Sequence, residues 1–372
     1  MNKILQKIVF GITGLTLGGA ERVLVDIANE LSEKFDITIF TLYGKGEFEK
    51  ELRPNVNLVN MINKSYKELT KKEKIRISLN ILFNKKYIYN KYIKNKFDTE
   101  IAFLEGPITR VFSVENKSIK KIAWVHNDIG QVFGKNFKAK IKKILDKNCY
   151  SEYNEVVFVS NDNKKQFEKI YKLNNNKIVI PNYISSKRVI KKSMEQFEDV
   201  FETKTTNFLT VARLVNQKAI DRLIKIHSKL IKDGFNHKFY IIGDGPEANN
   251  LKNLIKEYNV ENTFILLGKK NNPYPYIRKC DIFALLSYYE GLPMTILEAK
   301  VLEKPILITN TASREAVEKY EKSYITDNTD EGVYEGIQKS LEMLPKWKKM
   351  QERKYIENYN IIKQIEKLVK NK

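Results

Sequence analysis

Arg213 and Lys218 lie five residues apart, directly after the β-branched run Asn207–Val211. On a loop at the carboxyl edge of a parallel sheet, where α/β ligands bind, a guanidinium fork and an ammonium point charge match a diphosphate. They would stabilise it most as its charge grows on departure as a leaving group. Further on, Glu290 and Glu298 have seven residues between them. Gly291-Leu292-Pro293 reads as a helix start with proline in the first turn, which puts Glu298 almost two turns inside a helix. An acid there needs a partner or water. Near the N-terminus, Gly14 and then Gly18-Gly19-Ala20-Glu21-Arg22 turn a strand into a helix. Glycines at such a turn let backbone N–H groups approach a phosphate or sugar at the helix N-terminus, where the dipole favours negative charge. His126 closes an apolar run and is one of three histidines, with His227 and His237.

These groups need a frame to hold them, and 372 residues suggest about two domains at roughly 150 residues each. Short β-branched runs alternate with longer periodic stretches. Ile8–Ile12, Ile37–Leu42, Val56–Met61, Glu100–Leu104, Lys121–His126, Val156–Ser160 and Lys177–Ile180 read as strands of a first parallel sheet. Asn207–Val211, Lys238–Ile242, Thr263–Leu267, Ile282–Leu286 and Pro305–Thr309 read as a second, with helices near 220–233, 247–258, 292–302 and 330–343. The expected fold is therefore α/β, with two Rossmann-like doubly wound domains over residues 1–184 and 205–345. The charged stretch Ser185–Thr206 has no clean period and reads as a linker. Tyr355, Tyr359, Ile362, Ile365 and Val369 fall at helical spacing, so the segment from about 346 to 372 is expected to pack back on the first domain.

Several chemistries are excluded. Only Cys149 and Cys280 occur, which leaves no disulfide framework and no cysteine-rich zinc site. Three scattered histidines without HExxH disfavour a catalytic zinc. Gly243-Asp244-Gly245-Pro246-Glu247-Ala248 is formally a dinucleotide fingerprint after a strand. The next strand carries no acid for a ribose, so a nicotinamide enzyme is disfavoured.

Arg213 with Lys218, then Glu290 and Glu298, preceded by Gly18-Gly19 after the first strand, resembles the family 4 retaining glycosyltransferases of the GT-B fold, also called glycosyl transferases group 1. Trp124-Val125-His126, Val159-Ser160, Pro181-Asn182, Gly243-Asp244-Gly245-Pro246 and Glu298-Ala299 extend the likeness, in order, over nearly the whole chain. The resemblance implies two domains facing a central cleft, and a donor diphosphate held by Arg213 and Lys218. It further implies that Glu298 accepts hydrogen bonds from ribose hydroxyls and that Glu290 faces the donor sugar. Gly18, Gly19, Gly291 and the main-chain N–H groups of Leu292, Met294 and Thr295 would serve sugar and phosphate, while His126 closes over the sugar ring. Catalytic roles would fall to Glu290, Arg213, Lys218 and His126. Where the family usually has glycine beside the arginine and the lysine, this chain has Ala212 and Ala219. No Asp-x-Asp pair is present, so the resemblance implies no metal and no cofactor, with the two cations in the metal's place.

The formal net charge is +21, which predicts attraction to an anionic partner. Residues 64–96 hold eleven Lys/Arg against two Glu, interleaved with Tyr66, Tyr87, Tyr89 and Tyr92 and with Ile75, Leu79 and Leu82 at helical spacing. Two readings follow: a Rossmann helix whose apolar side is core, or a face that lies on an anionic inner leaflet. Lys3 and Lys7 followed by an apolar stretch to Ala20 imitate a secretory signal. Thr13, Gly14 and Thr16 interrupt it, so strand, loop and helix are expected, and a cytoplasmic protein. The leading function is transfer of a sugar from a nucleotide diphosphate, by overall resemblance UDP, to a polyprenyl-diphosphate-linked saccharide in capsule, exopolysaccharide or O-antigen synthesis. A nucleic-acid-binding protein accounts for the charge alone, since paired glutamates repel phosphate and no RRM, KH or zinc-finger pattern occurs. A GT-B enzyme of another reaction, such as nucleotide-sugar epimerisation, is the other alternative.

Overall fold

The computed structural model describes residues 5–126, 146–350 and 357–370. Two compact units emerge, one comprising the chain up to Tyr183 with the C-terminal helix, the other Ile184–Ile356. In the first, β1 (Lys7–Ile12), β2 (Asp36–Tyr43), β3 (Val56–Ile62), β4 (Thr99–Ala102), β5 (Lys120–Val125), β6 (Glu155–Phe158) and β7 (Asn176–Val179) form a parallel sheet in the order β3-β2-β1-β4-β5-β6-β7. In the second, β8 (Thr206–Val211), β9 (His237–Ile242), β10 (Phe264–Gly268), β11 (Ile282–Leu285), β12 (Ile306–Thr309) and β13 (Ser323–Thr326) are likewise parallel, in the order β10-β9-β8-β11-β12-β13. Each unit thus has a doubly wound sheet.

The sequence dictates this because the central strands are apolar at consecutive positions. Ile-Phe-Ala-Leu in β11 and Ile-Leu-Ile-Thr in β12 are buried at every residue, as strands covered on both faces must be. Helices supply the cover. Ile220–Lys232 presents Ile220, Leu223, Ile224 and Leu230 to the second core, where they meet Phe208, Phe239 and Ile282.

Four features differ from the sequence reading. Ser185–Thr206 is not merely a linker: Ser186–Ser193 is helical, capped by the Ser185 hydroxyl accepting from the Arg188 N–H, and it buries Val189 and Ser193. One buried aliphatic per two turns is too sparse to show as a period. β13 was not expected, because four residues flanked by charges carry too little pattern. The helix Asp330–Lys349 passes through the expected boundary at 345 with Pro345 inside it. The helix that packs on the first unit is described over Glu357–Val369, separate from the one that ends at Lys349, and buries Ile361, Ile362, Ile365, Leu368 and Val369. There Gln6 Nε2 donates to the Val369 carbonyl at 2.8 Å and Lys120 Nζ to that of Leu368 at 2.6 Å. Tyr355 and the side chain of Tyr359 lie outside the described residues.

A pair of buried histidines gives the second unit an expected acid response. His227 Nδ1 lies 2.9 Å from His237 Nε2, and His227 Nε2 lies 2.9 Å from Thr263 Oγ1. Burial holds His237 down to about 4 and, with the neighbouring His237, His227 down to about 2. In the unfolded chain both titrate near 6.5, so below that pH the unfolded state takes up protons that the folded state refuses. Stability is therefore full above about pH 6.5 and falls as the pH drops toward the folded values, by about 2 kcal/mol per histidine at pH 5. Urea unfolding at pH 7.5 and pH 5 checks this, and an unchanged midpoint contradicts it.

Candidate functional site

The order of the second sheet reverses between β8 and β11, which pair side by side while β9 and β10 lie on one flank and β12 and β13 on the other. Loops leaving the carboxyl ends of two such strands diverge and open a crevice, the usual ligand position in an open α/β sheet. Arg213 and Lys218 leave β8, and Glu290 leaves β11.

Lys218 Nζ meets Glu290 Oε1 at 2.5 Å, and the Ser287 hydroxyl donates to the same oxygen at 2.6 Å. The Glu290 side chain is only 6% exposed. The structure thus brings together two of the expected site residues, as direct partners of each other. Several bonds fix the loop that carries Glu290. Tyr288 N–H donates to the Gln217 carbonyl at 3.0 Å, and Gln217 Nε2 donates to that of Tyr289 at 2.9 Å. Thr309 Oγ1 holds the Ser287 carbonyl at 2.7 Å. Buried Arg222 donates to the Leu286 carbonyl at 2.8 Å and to Asn328 Oδ1 at 2.9 Å, with its guanidinium over the Tyr288 ring. Gln217, Arg222, Ser287, Thr309 and Asn328 carried no signal in the sequence, since each acts through a residue distant along the chain.

Arg213 is exposed and makes no side-chain hydrogen bond or ion pair among the described residues. Its loop is positioned from below by the glycines of Gly243-Asp244-Gly245. Leu214 N–H donates to the Asp244 carbonyl at 2.9 Å and Ala212 N–H to that of Ile242 at 3.0 Å. A Cβ on Gly243 would stand 1.8 Å from the Ala212 carbonyl oxygen, and one on Gly245 would stand 2.2 Å from that of Leu214. The formal dinucleotide fingerprint therefore works as a close backbone crossing under the Arg213 loop. Ala219, the next residue after Lys218, sits in the left-handed region at φ 51° and ψ 34°. An L-residue there costs about 1–2 kcal/mol, which explains why glycine is usual at this position.

Glu298 lies in the helix Met294–Val301, whose N-cap is Pro293 and which has no side-chain cap. Proline thus precedes the first turn rather than occupying it, and Glu298 sits little more than one turn inside. Gly291 and Leu292 fall before the helix, while Met294 and Thr295 open it, where helix N–H groups lack intrahelical acceptors. Glu298 is 6% exposed and accepts from the Tyr274 hydroxyl at 2.9 Å. Arg188 Nη1 donates to that hydroxyl at 2.7 Å, with its guanidinium against the Tyr274 ring. Burial, then the Glu298 charge, raises the Tyr274 pKa well above its ordinary value, so the hydroxyl keeps its proton and donates. Neither Tyr274 nor Arg188 was assigned a role from sequence, and Arg188 lay in the stretch read as linker.

The remaining expected residues belong to the first unit. Gly18 caps the helix Gly19–Leu31, and a Cβ on it would stand 2.1 Å from Glu21 Oε2. The Glu21 carboxyl therefore folds back over the helix start, and burial raises its pKa. A carboxyl at that point favours a hydroxyl over a phosphate as neighbour. His126 follows β5, and its N–H donates at 2.6 Å to Oε1 of Glu105, which follows β4. Its ring packs against Phe103 and stacks on Trp124. Burial lowers its pKa to about 3, so the imidazole is neutral. Nε2 is buried and has no hydrogen-bond partner among the described residues.

Residues 17–188 match the model for Glycosyltransferase Family 4, and residues 191–357 match the model for Glycosyl transferases group 1. A Methanocaldococcus jannaschii protein described as an uncharacterized glycosyltransferase is 29% identical over 208 residues, which span 55% of this chain and 51% of that one. The Campylobacter jejuni N-acetylgalactosamine-N,N'-diacetylbacillosaminyl-diphospho-undecaprenol 4-alpha-N-acetylgalactosaminyltransferase is 26% identical over 91% of each chain. Among solved structures, Anabaena Alr3699/HepE in complex with UDP and glucose superposes with a TM-score of 0.70 at 16% identity, covering 98% of this chain and 99% of that one. The chain belongs to the family 4, group 1 glycosyltransferases and has their two-domain GT-B fold. It is a glycosyltransferase enzyme. Among the described residues no helix is long and apolar enough to cross a membrane.

Proposed function

We propose that this enzyme transfers a sugar, with retention of anomeric configuration, from a UDP-linked donor to a polyprenyl-diphosphate-linked saccharide. The setting proposed is the cytoplasmic face of a membrane, during synthesis of a capsule, exopolysaccharide or O-antigen. The observation that carries the reading is the Lys218–Glu290 pair at the β8/β11 reversal, with Arg213, which has no side-chain partner among the described residues, on the same loop as Lys218.

Breaking the anomeric C–O bond builds positive charge on the sugar and negative charge on the departing diphosphate. Cations at Arg213 and Lys218 and an anion at Glu290 are arranged to oppose both, and they act more strongly on the transition state than on the ground state. Arg213 offers a planar fork to the diphosphate and Lys218 a point charge. Glu298, aimed by Tyr274, accepts from ribose hydroxyls. The N–H groups of Met294 and Thr295 at an uncapped helix start serve the donor's sugar or phosphate. His126, neutral and held through its main chain by Glu105, closes over the sugar ring. Retention follows from attack on the face that the diphosphate leaves, with a leaving phosphate oxygen taking the acceptor's proton, and no side chain forms a bond to the sugar.

Support for the acceptor comes from relatives. The Campylobacter protein is named for a diphospho-undecaprenol acceptor, and a relative from Erwinia amylovora is named for amylovoran biosynthesis. The test is a panel of nucleotide sugars scored by thermal shift and by slow donor hydrolysis in excess EDTA, followed by product analysis with a lipid-linked acceptor. A UDP-sugar is expected to stabilise the protein and to turn over without metal. Activity lost in EDTA and restored by metal contradicts the metal-free mechanism, and an isomerised donor with no transfer product contradicts transfer.

A further inference from the structure

The helix Lys71–Phe83 buries only Ile77 and Ile81. Ile75, Leu79, Leu82 and Phe83 are 61%, 49%, 42% and 73% exposed, and Tyr87 on the following helix Lys85–Tyr92 is 67% exposed. At about 100° per residue, Ile75, Leu79, Leu82 and Phe83 fall within one sector of about 100°, opposite to Ile77 and Ile81. The apolar residues that the sequence placed at helical spacing are therefore not the core side of a Rossmann helix. The helix has two apolar faces, one packed into the core of the first unit and one turned outward.

The outward stripe is set in positive charge. Lys71, Lys72, Arg76, Lys86 and Lys91 are exposed along the same two helices. The two acids of the 64–96 segment are engaged locally: Glu73 closes the Thr70 cap and pairs with Lys64, while Glu68 accepts from the Ser65 N–H and lies by Lys45. A stripe of large aliphatic and aromatic side chains among lysines does not suit a second copy of this chain, whose own net charge of +21 opposes self-association. It suits an anionic bilayer, in which rings and aliphatic groups enter the headgroup boundary and lysine stems reach back to phosphates.

We infer that helices Lys71–Phe83 and Lys85–Tyr92 form a docking surface for an anionic lipid bilayer, with Ile75, Leu79, Leu82, Phe83 and Tyr87 entering the lipid and the surrounding lysines holding the headgroups. The surface stands on exposure and charge alone and does not depend on the donor, the acceptor or the stereochemistry proposed above. Vesicle co-sedimentation without any substrate tests it, using phosphatidylcholine vesicles with and without phosphatidylglycerol, at low and high salt. The comparison is the full chain against Ile75→Ser/Leu79→Ser/Phe83→Ser and, separately, Lys72→Glu/Lys86→Glu. These positions are exposed, so melting temperatures should match the parent. The partition coefficient is expected to be about tenfold or more greater on phosphatidylglycerol vesicles, to fall with salt, and to drop to the phosphatidylcholine level in both variants. Equal binding to the two vesicle types, or binding unchanged in the serine variant, overturns the inference. So does a concentration-dependent dimer that the serine substitutions dissolve, since the stripe would then face another copy of the chain.

Discussion

Turnover should fall by about 10²–10³ when Glu290 is replaced by Gln, with affinity for UDP little changed. The substitution keeps the size of the side chain and a carbonyl oxygen able to accept from Ser287. It removes the charge that Lys218 faces at 2.5 Å. UDP contains no donor sugar, so a residue that serves the sugar should hardly alter its binding. Replacing Lys218 by Ala should lower turnover by a similar factor and weaken UDP as well, because the ammonium is assigned to the diphosphate. Since the two groups are each other's partners, the double variant should lose far less than the product of the single losses. Single-turnover rates with a donor found in the nucleotide-sugar panel, together with calorimetry on UDP, measure both quantities. Full activity in the Glu290→Gln enzyme would show that Glu290 is not part of the reacting site, and strictly multiplicative losses would show that the two groups do not act as a pair.

The second large effect concerns stability. Glu100 in β4 and Lys121 in β5 are register partners across the sheet, each about 1% exposed, and Lys121 Nζ lies 3.2 Å from Glu100 Oε2. Lys121 also donates to the carbonyls of Phe112 and Val114, while Tyr89 donates its hydroxyl to Glu100 Oε1 at 2.8 Å. Burial lowers the lysine pKa and raises that of the glutamate, and their mutual attraction opposes both shifts. Removing one member of such a pair leaves the other charge uncompensated, so Lys121→Ala is expected to cost about 3–5 kcal/mol. For a unit of this size that corresponds to a fall of roughly 10 °C in its melting temperature. Replacing both together, Glu100→Leu with Lys121→Met, should recover most of the loss, because an apolar pair leaves no buried charge. Calorimetry on the two variants decides the matter: a Lys121→Ala protein as stable as the parent would mean that water already compensates these charges. The pair sets β4 against β5, after whose ends Glu105 and His126 meet.

Much of this molecule was legible in one dimension. Strands buried on both faces must be apolar at successive positions, and covering helices must be apolar every three to four residues, so the two doubly wound sheets could be read off directly. Arg213, Lys218, Glu290 and Glu298 stood out as candidates only through their order along the chain and its resemblance to a known family, since singly a charge after a strand or in a helix is ordinary surface. Short elements were not legible: Ser186–Ser193 and β13 are too brief for a period to rise above chance.

Tertiary structure decided everything that depends on which residues meet. Lys218 and Glu290 are 72 positions apart, and only the adjacency of β8 and β11 makes them partners. Arg188, Tyr274 and Glu298 come from three helices, and no local pattern links them. Gly243 and Gly245 match a nucleotide loop only formally, and it is the carbonyls of Ala212 and Leu214, standing where their side chains would be, that show why glycine is needed there. Periodicity told that Ile75, Leu79 and Leu82 share a face but not which way that face turns, because a helix with two apolar stripes satisfies the same pattern whichever of them meets the core.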